Sequence, residues 1–190
     1  FAGGGINAVT KSGTNVFHGS AYWLFRNQKI AGKTPSFISE DDREKLPDFY
    51  SNIYGITVGG PIVENKLFFF ANIEIQRDEN PRPFDVGSYT GDATPVDLLS
   101  LESKLNELGY SPGSIGDNVS SLNGEKYLLK LDWNISKKHK LSLKNSYVKG
   151  VSVSPSSSSP TSIRFANGGI NFSSITNTFT AELNSTFARN

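Results

Sequence analysis

The sequence predicts an all-β fold in which about six antiparallel strands form a segment of a transmembrane barrel. Three observations predict it. Apolar and polar residues alternate along six stretches, short and long connections alternate between these stretches, and aromatic residues fall into two groups. Successive side chains of an extended strand point to opposite faces, so alternation gives each strand one apolar and one polar face. The stretches lie near residues 17–27, 49–62, 66–77, 125–136, 139–150 and 174–188.

The alternation is clearest in residues 66–76, which read KLFFFANIEIQ. One face of that strand is wholly apolar and carries Leu67, Phe69, Ala71, Ile73 and Ile75. The other face carries Lys66, then Phe68 and Phe70, and then turns polar. A soluble antiparallel sandwich has the same pattern, because its apolar faces form its own core. Alternation therefore predicts strands but leaves both the barrel and the sandwich open.

Connection lengths favour the barrel over the sandwich. The second and third strands join through residues 63–66, and the fourth and fifth join through residues 136–140. The other connections are long and cover residues 28–48, 77–125 and about 150–174. This alternation puts the tight turns at one end of the sheet and the long loops at the other, as in outer-membrane barrels. A compact sandwich seldom contains loops of this length.

Aromatic side chains on the apolar face give a second argument for the barrel. Tyr and Trp favour the interface between lipid and water, because their rings are apolar and their polar tips stay hydrated. The band predicted toward the long loops contains Trp23, Tyr50, Tyr54, Tyr127 and Tyr147. The band predicted toward the tight turns contains Phe17, Phe69, Trp133 and Phe187. We expect the two bands to lie about 25 Å apart, which is the height of an apolar belt.

Composition narrows the classes of function. The chain has 19 Lys and Arg against 18 Asp and Glu, a formal net charge of +1, so no overall field attracts nucleic acid. The absence of cysteine argues against a disulfide scaffold, a structural zinc site and a thiol nucleophile. We expect no cofactor and no metal site. Because methionine is also absent, we interpret the chain as an internal piece of a longer protein.

Three blocks of the sequence carry a family resemblance, namely GGGINAVTKSGTNVFHGSAYWLFRN, GITVGGPIVENKLFFFANIE and KLDWNISKKHKLSLKNSYV. They resemble the region of TonB-dependent outer-membrane transporters where the plug domain ends and the barrel begins, and more narrowly the Oar-like group. The resemblance implies that residues 1–16 are the end of a plug domain. It also implies that residues 17–190 form the first six strands of a barrel of about 22 strands.

This resemblance implies a transporter or receptor in the outer membrane of a Gram-negative bacterium. Such a protein takes up a bound substrate with energy from the inner-membrane TonB–ExbB–ExbD complex. Outer-membrane lipid would surround the barrel, and a surface lipoprotein over the loops is a further partner to consider. The sequence does not identify the substrate. The alternative is a β-rich cell-surface adhesin or a secretion-associated binding protein without transport.

Catalysis has little support in the sequence, and we expect no enzyme. A carbohydrate-active enzyme would need a pair of catalytic carboxylates in a cleft, and no such pair stands out. The two histidines, His18 and His139, suggest no triad.

Candidate site residues follow from the parity of the strands. Those predicted to face the lumen are Arg26, Asn72, Glu74, Gln76, Lys130, Asp132 and Lys144. For each of them a structural role in the wall competes with a role in lining a path. We also expect the lumen carboxylates Glu74, Asp132 and Glu182 to pair across strands. Phe68 and Phe70 would point inward near the tight turns and pack against the plug.

Two further segments, the glycine run at residues 3–5 and the acidic stretch at residues 39–44, are interpreted as structural and not as ligand-binding sites. The glycine run at residues 3–5 lacks the Gly-Lys-Ser/Thr of a phosphate loop. We expect glycine to let this segment pass close to the strands and adopt positive φ, with Gly13 turning the chain into the wall. The acidic residues 39–44 lack an EF-hand pattern, so a solvated loop is favoured over a calcium site.

One helix is predicted between the third and fourth strands. Thr94 is the expected N-cap, Pro95 the first helical residue and Gly109 the C-terminal stop. Leucines recur at helical spacing at Leu98, Leu101, Leu105 and Leu108. We expect them to pack on neighbouring loops, with binding to a membrane surface as the alternative.

Overall fold

A single antiparallel sheet forms the fold. The computed structural model describes residues 10–34, 39 and 43–187. Each strand pairs with the next one in sequence, in the order β1-β2-β3-β4-β5-β6. The strands are β1 (His18–Asn27), β2 (Tyr50–Val63), β3 (Leu67–Arg82), β4 (Asn118–Asn134), β5 (His139–Ser154) and β6 (Ile170–Ser185). The prediction of an all-β fold with six antiparallel strands is confirmed.

Several strands extend further toward the long loops than alternation predicts. β3 continues to Arg82 and β4 begins at Asn118, whereas alternation ends near residues 77 and 125. β5 likewise continues to Ser154 and β6 begins at Ile170. Ladder hydrogen bonds need only an extended backbone, whereas alternation needs one dry face and one wet face. The extension of β3 begins with the polar residues 78–80 and therefore escapes a search for alternation.

The sheet has two faces of different chemistry. We call polar face the one that carries the odd-numbered residues of β2 up to Pro61 and the even-numbered residues of the other strands. The opposite side is the apolar face. Across β1 to β6, one row of directly paired polar-face residues is Ser20, Thr57, Asn72, Leu128, Ser146 and Thr178. The corresponding row of the apolar face is Ala21, Ile56, Ile73, Tyr127, Tyr147 and Asn177.

The apolar face is not covered by a second layer of the described chain. Leu129 is 51% exposed, Trp133 is 45% exposed and Ile56 is 58% exposed. The buried hydrophobic core of the described residues consists of Phe70 and Leu98. A soluble sandwich would bury the apolar side of its strands against another sheet. The described residues therefore do not form by themselves the sandwich that alternation alone had left open.

The tight turns lie together at one end of the sheet. The turn between β2 and β3 is closed by a hydrogen bond of 3.0 Å from Lys66 N to Val63 O, and Asn65 there has φ 59°. Ser136 closes the turn between β4 and β5, since its backbone N–H donates to His139 O at 3.1 Å. The long loops, residues 28–49, 83–117 and 155–169, leave the opposite end. We refer to these as the turn end and the loop end.

The predicted helix is present as α1 (Pro95–Glu107) in the second long loop. Thr94 and Asp97 form a capping box, and Gly109 follows the C-cap with φ 79°. The expected packing of the leucines is wrong for two of them, because Leu101 is 48% and Leu108 74% exposed. Helical spacing puts the leucines on one side of the helix. Their burial also requires another segment that packs against that side. No helix in the described ranges has the length and apolar content to cross a membrane.

The second and third long loops are joined by hydrogen bonds. Thr90 N donates to Pro160 O at 2.8 Å, and Ala166 N donates to Ser114 O at 2.8 Å. The buried side chain of Asn118 donates to Ser156 O at 3.2 Å. These two loops therefore form one ordered layer at the loop end.

Candidate functional site: the polar face of the sheet

A charged and aromatic network crosses the first four strands on the polar face. Tyr22 Oη donates to Glu74 Oε2 at 2.5 Å, and Lys126 Nζ lies 2.6 Å from Glu74 Oε1. Gly55 lies between Tyr22 and Glu74 in the ladder, since it pairs with both. The carboxylate of Glu74 thus receives one donor from each side. This arrangement fixes the position of Glu74, a predicted lumen residue, in the wall.

Gly55 makes the network sterically allowed. A Cβ at this position would overlap the ring of Tyr22, which lies across the backbone of β2. The glycine lets a tyrosine from β1 reach a carboxylate two strands away. Such close approach of a side chain to a neighbouring backbone is a common use of glycine in a strand.

A segment that precedes β1 contacts the polar face near the turn end. Ser12 Oγ accepts a hydrogen bond of 2.7 Å from Lys130 Nζ, which also lies 3.5 Å from Asp132 Oδ1. The other oxygen of Asp132, Oδ2, is buried and has no hydrogen-bond partner among the described residues. Closer to the turn, Asn15 makes two hydrogen bonds with Asn65, at 2.6 and 2.7 Å. Residues 12–15 are therefore held to the sheet by side chains far away in sequence.

Close backbone contact accompanies these hydrogen bonds. A Cβ at Gly13 would overlap Phe69 O and would lie 3.0 Å from the Cβ of Phe68. Phe70 is 4% exposed, and Phe68 is half-buried. Gly13 is thus needed for close approach at the point where the chain enters β1. The close approach and positive φ expected of the glycine run at residues 3–5 concern residues outside the described ranges.

Arg26 marks the loop end of the polar face. Its guanidinium carbon lies 5.4 Å from the ring centroid of Phe49, which comes from the first long loop. In the same row two strands away, Asp78 accepts hydrogen bonds of 2.7 Å from Ser51 Oγ and from Gln76 Nε2. Arg26 pairs with no carboxylate in the described part of the chain. The arginine and the aspartate are thus held by different, uncharged partners.

The other predicted lumen residues occupy the central part of the polar face. Asn72 lies between Thr57 and Leu128 in the ladder, and Lys144 pairs with Lys130 and Thr180. Glu182 accepts a hydrogen bond of 2.7 Å from Asn184.

Of the three lumen carboxylates expected to pair across strands, one does so. Glu74 pairs across strands with Lys126, whereas Asp132 pairs with Lys130 of its own strand. Glu182 makes no ion pair within the described residues, so its expected pairing is wrong. Face and charge are readable from sequence parity, but the choice of partner depends on register and side-chain reach.

In both predicted aromatic bands, some of the aromatic side chains contact one another on the apolar face. Trp23 stacks on Tyr54 with centroids 6.0 Å apart, and Tyr127 contacts Tyr147 at 5.8 Å. In the other band, Phe17 and Phe69 lie 6.2 Å apart. Tyr50, Trp133 and Phe187 are also exposed. Phe17 and Trp23 are six positions apart, which corresponds to about 20 Å of strand. The separation of the bands across a membrane stays a prediction.

Several residues of the site were not singled out from the sequence. Tyr22, Lys126, Ser12 and Phe49 make four of its polar or cation–π contacts. Tyr22 and Lys126 are even-numbered residues of β1 and β4, so alternation along the strands places both on the polar face. Their partners depend on the cross-strand register, and those of Ser12 and Phe49 depend on how segments outside the strands fold back.

No cluster of three or more potential metal ligands occurs within the described ranges. Most of the acidic group at residues 39–44, namely residues 40–42, lies outside them. Glu44 belongs to the described part, where its carbonyl accepts a hydrogen bond of 2.8 Å from Thr34 N.

Comparisons with known proteins agree with this geometry. The family described as "Outer membrane beta barrel domain" matches residues 9–94. A curated relative, the TonB-dependent transporter Oar of Myxococcus xanthus, is 28% identical over 149 residues, which cover 74% of this chain and 13% of that protein. The chain thus spans about an eighth of the length of that relative. No solved structure matches the chain.

Fold and comparisons together define the class of protein. Six antiparallel strands in one sheet, an apolar face without a covering layer and the match to an outer-membrane barrel domain agree with one another. The chain is part of an outer-membrane β-barrel, and the protein is located in the bacterial outer membrane.

Proposed function

We propose that the protein is a TonB-dependent transporter that takes up a substrate through the outer membrane. The observation that carries this proposal is the segment at residues 10–16, which lies on the polar face immediately before β1. Ser12 is hydrogen-bonded to Lys130 at 2.7 Å, and Gly13 is in close contact with the backbone of β3. A plug domain enters its barrel in the same way, from the inside. The resemblance to the transporter Oar supports this interpretation.

In this proposal residues 1–16 end a plug domain, and residues 17–190 begin a barrel of about 22 strands. The apolar face would contact lipid, where a strand can have exposed leucines and phenylalanines without cost. The polar face would line the lumen. Tight turns would lie on the periplasmic side and the joined long loops on the extracellular side.

Phe68 and Phe70 would separate the lumen from the turn end. Both lie on the polar face; Phe70 is almost fully buried, and the segment that carries Gly13 passes close to Phe68. Large apolar side chains on the lumen side are stable where the plug excludes water. Further along β3 the same face carries Asn72, Glu74 and Gln76, as expected where the plug no longer covers the wall.

Energy for uptake would come from the TonB–ExbB–ExbD complex, acting on a part of the protein that precedes this chain. A pulling force on that part would reach residues 10–16 before it reaches the strands. The hydrogen bonds of Ser12 with Lys130 and of Asn15 with Asn65 would hold the base of the plug to the wall. A lipoprotein over the loops remains a further prediction.

An uptake comparison tests the proposed function. The compounds removed from a defined medium would be measured for the parent strain, a strain without this gene and a strain without TonB. We expect at least one compound to be depleted by the parent strain alone. If depletion never depends on the gene, or depends on the gene but persists without TonB, the proposal is wrong and a non-transporting adhesin or secretion factor is favoured.

Single substitutions then test the lining role of the polar face. Glu74→Gln and Lys144→Gln each remove one charge from the polar face, on β3 and on β5. Leu99→Gln, on the exposed side of α1, is the control. We expect a changed uptake rate or competition constant for at least one lumen variant at equal surface abundance. Unchanged uptake in every lumen variant would restrict these residues to a structural role.

A further inference from the structure

A cavity at the loop end of the polar face has the features of a small binding site. Its volume is about 240 Å³, and it is lined by Arg26, Leu46, Pro47, Phe49, Asn80 and Pro81. These residues come from the end of β1, the first long loop and the last residues of β3. Four of the six lining residues are apolar, and the other two supply one cation and one amide, so the cavity surface is about evenly polar and apolar.

The two polar side chains of this cavity have no hydrogen-bond partner in the described part of the chain. The guanidinium of Arg26 contacts the π face of Phe49 and donates no hydrogen bond to any described residue. Asn80 accepts a hydrogen bond from Ser120 through its backbone carbonyl, which leaves its side-chain amide free. A cation–π contact orients an arginine without using its N–H donors. Both groups are therefore available to a ligand.

Other charged groups around the cavity are already engaged. Asp78, two strands from Arg26, is held by Ser51 and Gln76, and Asp48 accepts a hydrogen bond of 2.7 Å from Gln28. On the same face, Lys126 and Lys130 are paired with carboxylates. Arg26 thus differs from these lysines, because it has no carboxylate partner among the residues that the structure describes.

We propose that this cavity binds the carboxylate of an organic ligand. A guanidinium presents paired N–H donors that match the two oxygens of a carboxylate, and the Asn80 amide adds a further donor. The apolar part of the lining, Leu46, Pro47 and Pro81, suits a short aliphatic group attached to that carboxylate. A doubly charged phosphate fits less well, because one arginine supplies one positive charge and Asp48 and Asp78 are nearby. Free organic acids and the C-termini of peptides both provide this chemistry.

Chemical modification of arginine tests the site on the complete protein in detergent micelles. Phenylglyoxal modification is followed by peptide mass spectrometry at Arg26, with Arg82 and Arg164 as internal controls. The probes are isovalerate, an acetylated dipeptide ending in leucine, the amide of that dipeptide, and inorganic phosphate. We expect at least one of the two acids to slow modification of Arg26 several-fold, and the amide to have no effect.

The probes also distinguish the two sources of carboxylate. Protection by isovalerate shows that a small acid suffices, whereas protection by the dipeptide alone identifies a peptide C-terminus. No protection by either acid, equal protection of all three arginines, equal protection by the amide, or stronger protection by phosphate would each overturn the proposal.

A second measurement covers the case in which phenylglyoxal does not reach Arg26. Saturation-transfer NMR detects the methyl signals of isovalerate and of the dipeptide on the protein. We expect the signal of the bound acid to be lost in Arg26→Gln and retained in Arg82→Gln. Equal signals in both variants would reject the site. Both measurements are made at equilibrium without an energy source, so their outcome is independent of energised transport.

Discussion

The two faces of the sheet are stabilised in different ways. On the polar face, Tyr22, Glu74 and Lys126 make short, specific contacts, and Lys130 holds a segment from before β1. On the apolar face, Leu129 and Ile56 remain exposed. Specific contacts fix how the parts of the polar face fit together. The apolar face instead needs a surrounding medium that is not water, because its exposure to water would be unfavourable.

The apolar face is not free of polar contacts, and their positions are informative. Arg77 pairs with Glu125 at 3.0 Å, and Trp23 Nε1 donates to Asn52 Oδ1 at 3.0 Å, both toward the loop end. Asn145 donates to Asn177 at 2.9 Å nearer the middle of the strands. In each case one polar group forms a hydrogen bond or an ion pair with another polar group. Polar side chains facing lipid are expected to be paired in this way.

The largest expected effect comes from a charge placed on the apolar face. Leu129→Arg should destabilise the folded protein in lipid vesicles by about 2–4 kcal/mol if this residue lies near the bilayer midplane. Its neighbour in sequence, Leu128, lies on the polar face at the same depth, so Leu128→Arg is the matched control. Urea unfolding in vesicles measures both free energies. Equal destabilisation by the two variants would mean that the faces do not differ in their exposure to lipid.

The next effect concerns the packing of Tyr22 on β2. Gly55→Ala places a methyl group where the Tyr22 ring lies, so the ring must move away from Glu74. We expect a loss of about 1–3 kcal/mol in the free energy of unfolding, as for other overpacked sites. Gly150→Ala, also on the polar face, adds a methyl group with no atom within 4 Å and serves as the control. A stability of Gly55→Ala equal to that of the control would contradict the close packing.

A smaller effect is expected from the ion pair between Glu74 and Lys126. Their side chains are 22% and 50% exposed, so solvent screens part of the attraction. A double-mutant cycle with Glu74→Gln and Lys126→Gln should give a coupling energy of about 0.5–1 kcal/mol. Lys104 and Glu107 on α1 form a pair at 3.0 Å with both side chains largely exposed, and the same cycle there should give less. A larger coupling energy for Lys104 and Glu107 than for Glu74 and Lys126 would contradict this expectation.

The smallest effect is a pH dependence of α1, outside the sheet. Hydrogen bonds from the Thr94 side chain and backbone hold the pKa of Asp97 below its ordinary value. The stabilisation from Asp97 is therefore complete above the pKa of an unfolded aspartate and is lost as the pH falls through the lowered pKa. The hydrogen-exchange protection factors of residues 95–107, corrected for the intrinsic pH dependence of exchange, should fall over that acidic range. Asp97→Asn should remove this pH dependence.

Thr94→Ala tests the same cap at neutral pH. Loss of an N-cap side chain costs about 1 kcal/mol of helix stability, which should accelerate exchange in the first turn of α1. Ser100→Ala, within the helix, is the control, since it keeps the cap intact. Exchange of both variants at the same rate would show that the capping box contributes nothing to the helix.

The agreement between sequence and structure is uneven along the chain. Strands such as β3 and β4 were found because one face is apolar, but their polar ends beyond residue 77 and before residue 125 were not. α1 was found with its cap, because Thr94, Pro95 and Gly109 act locally. The exposure of Leu101 and Leu108 was not predicted, since burial depends on what other segments cover.

The amino-acid sequence by itself determined the strands, the assignment of each side chain to a face and the ends of α1. These features depend on periodicity and on residues adjacent in the chain. Tertiary structure decided which groups meet: Tyr22 with Glu74 over Gly55, Lys130 with Ser12, and Arg26 with Phe49. Such contacts join residues of different strands or loops, and their geometry exists only once the register of the sheet and the paths of the loops are set.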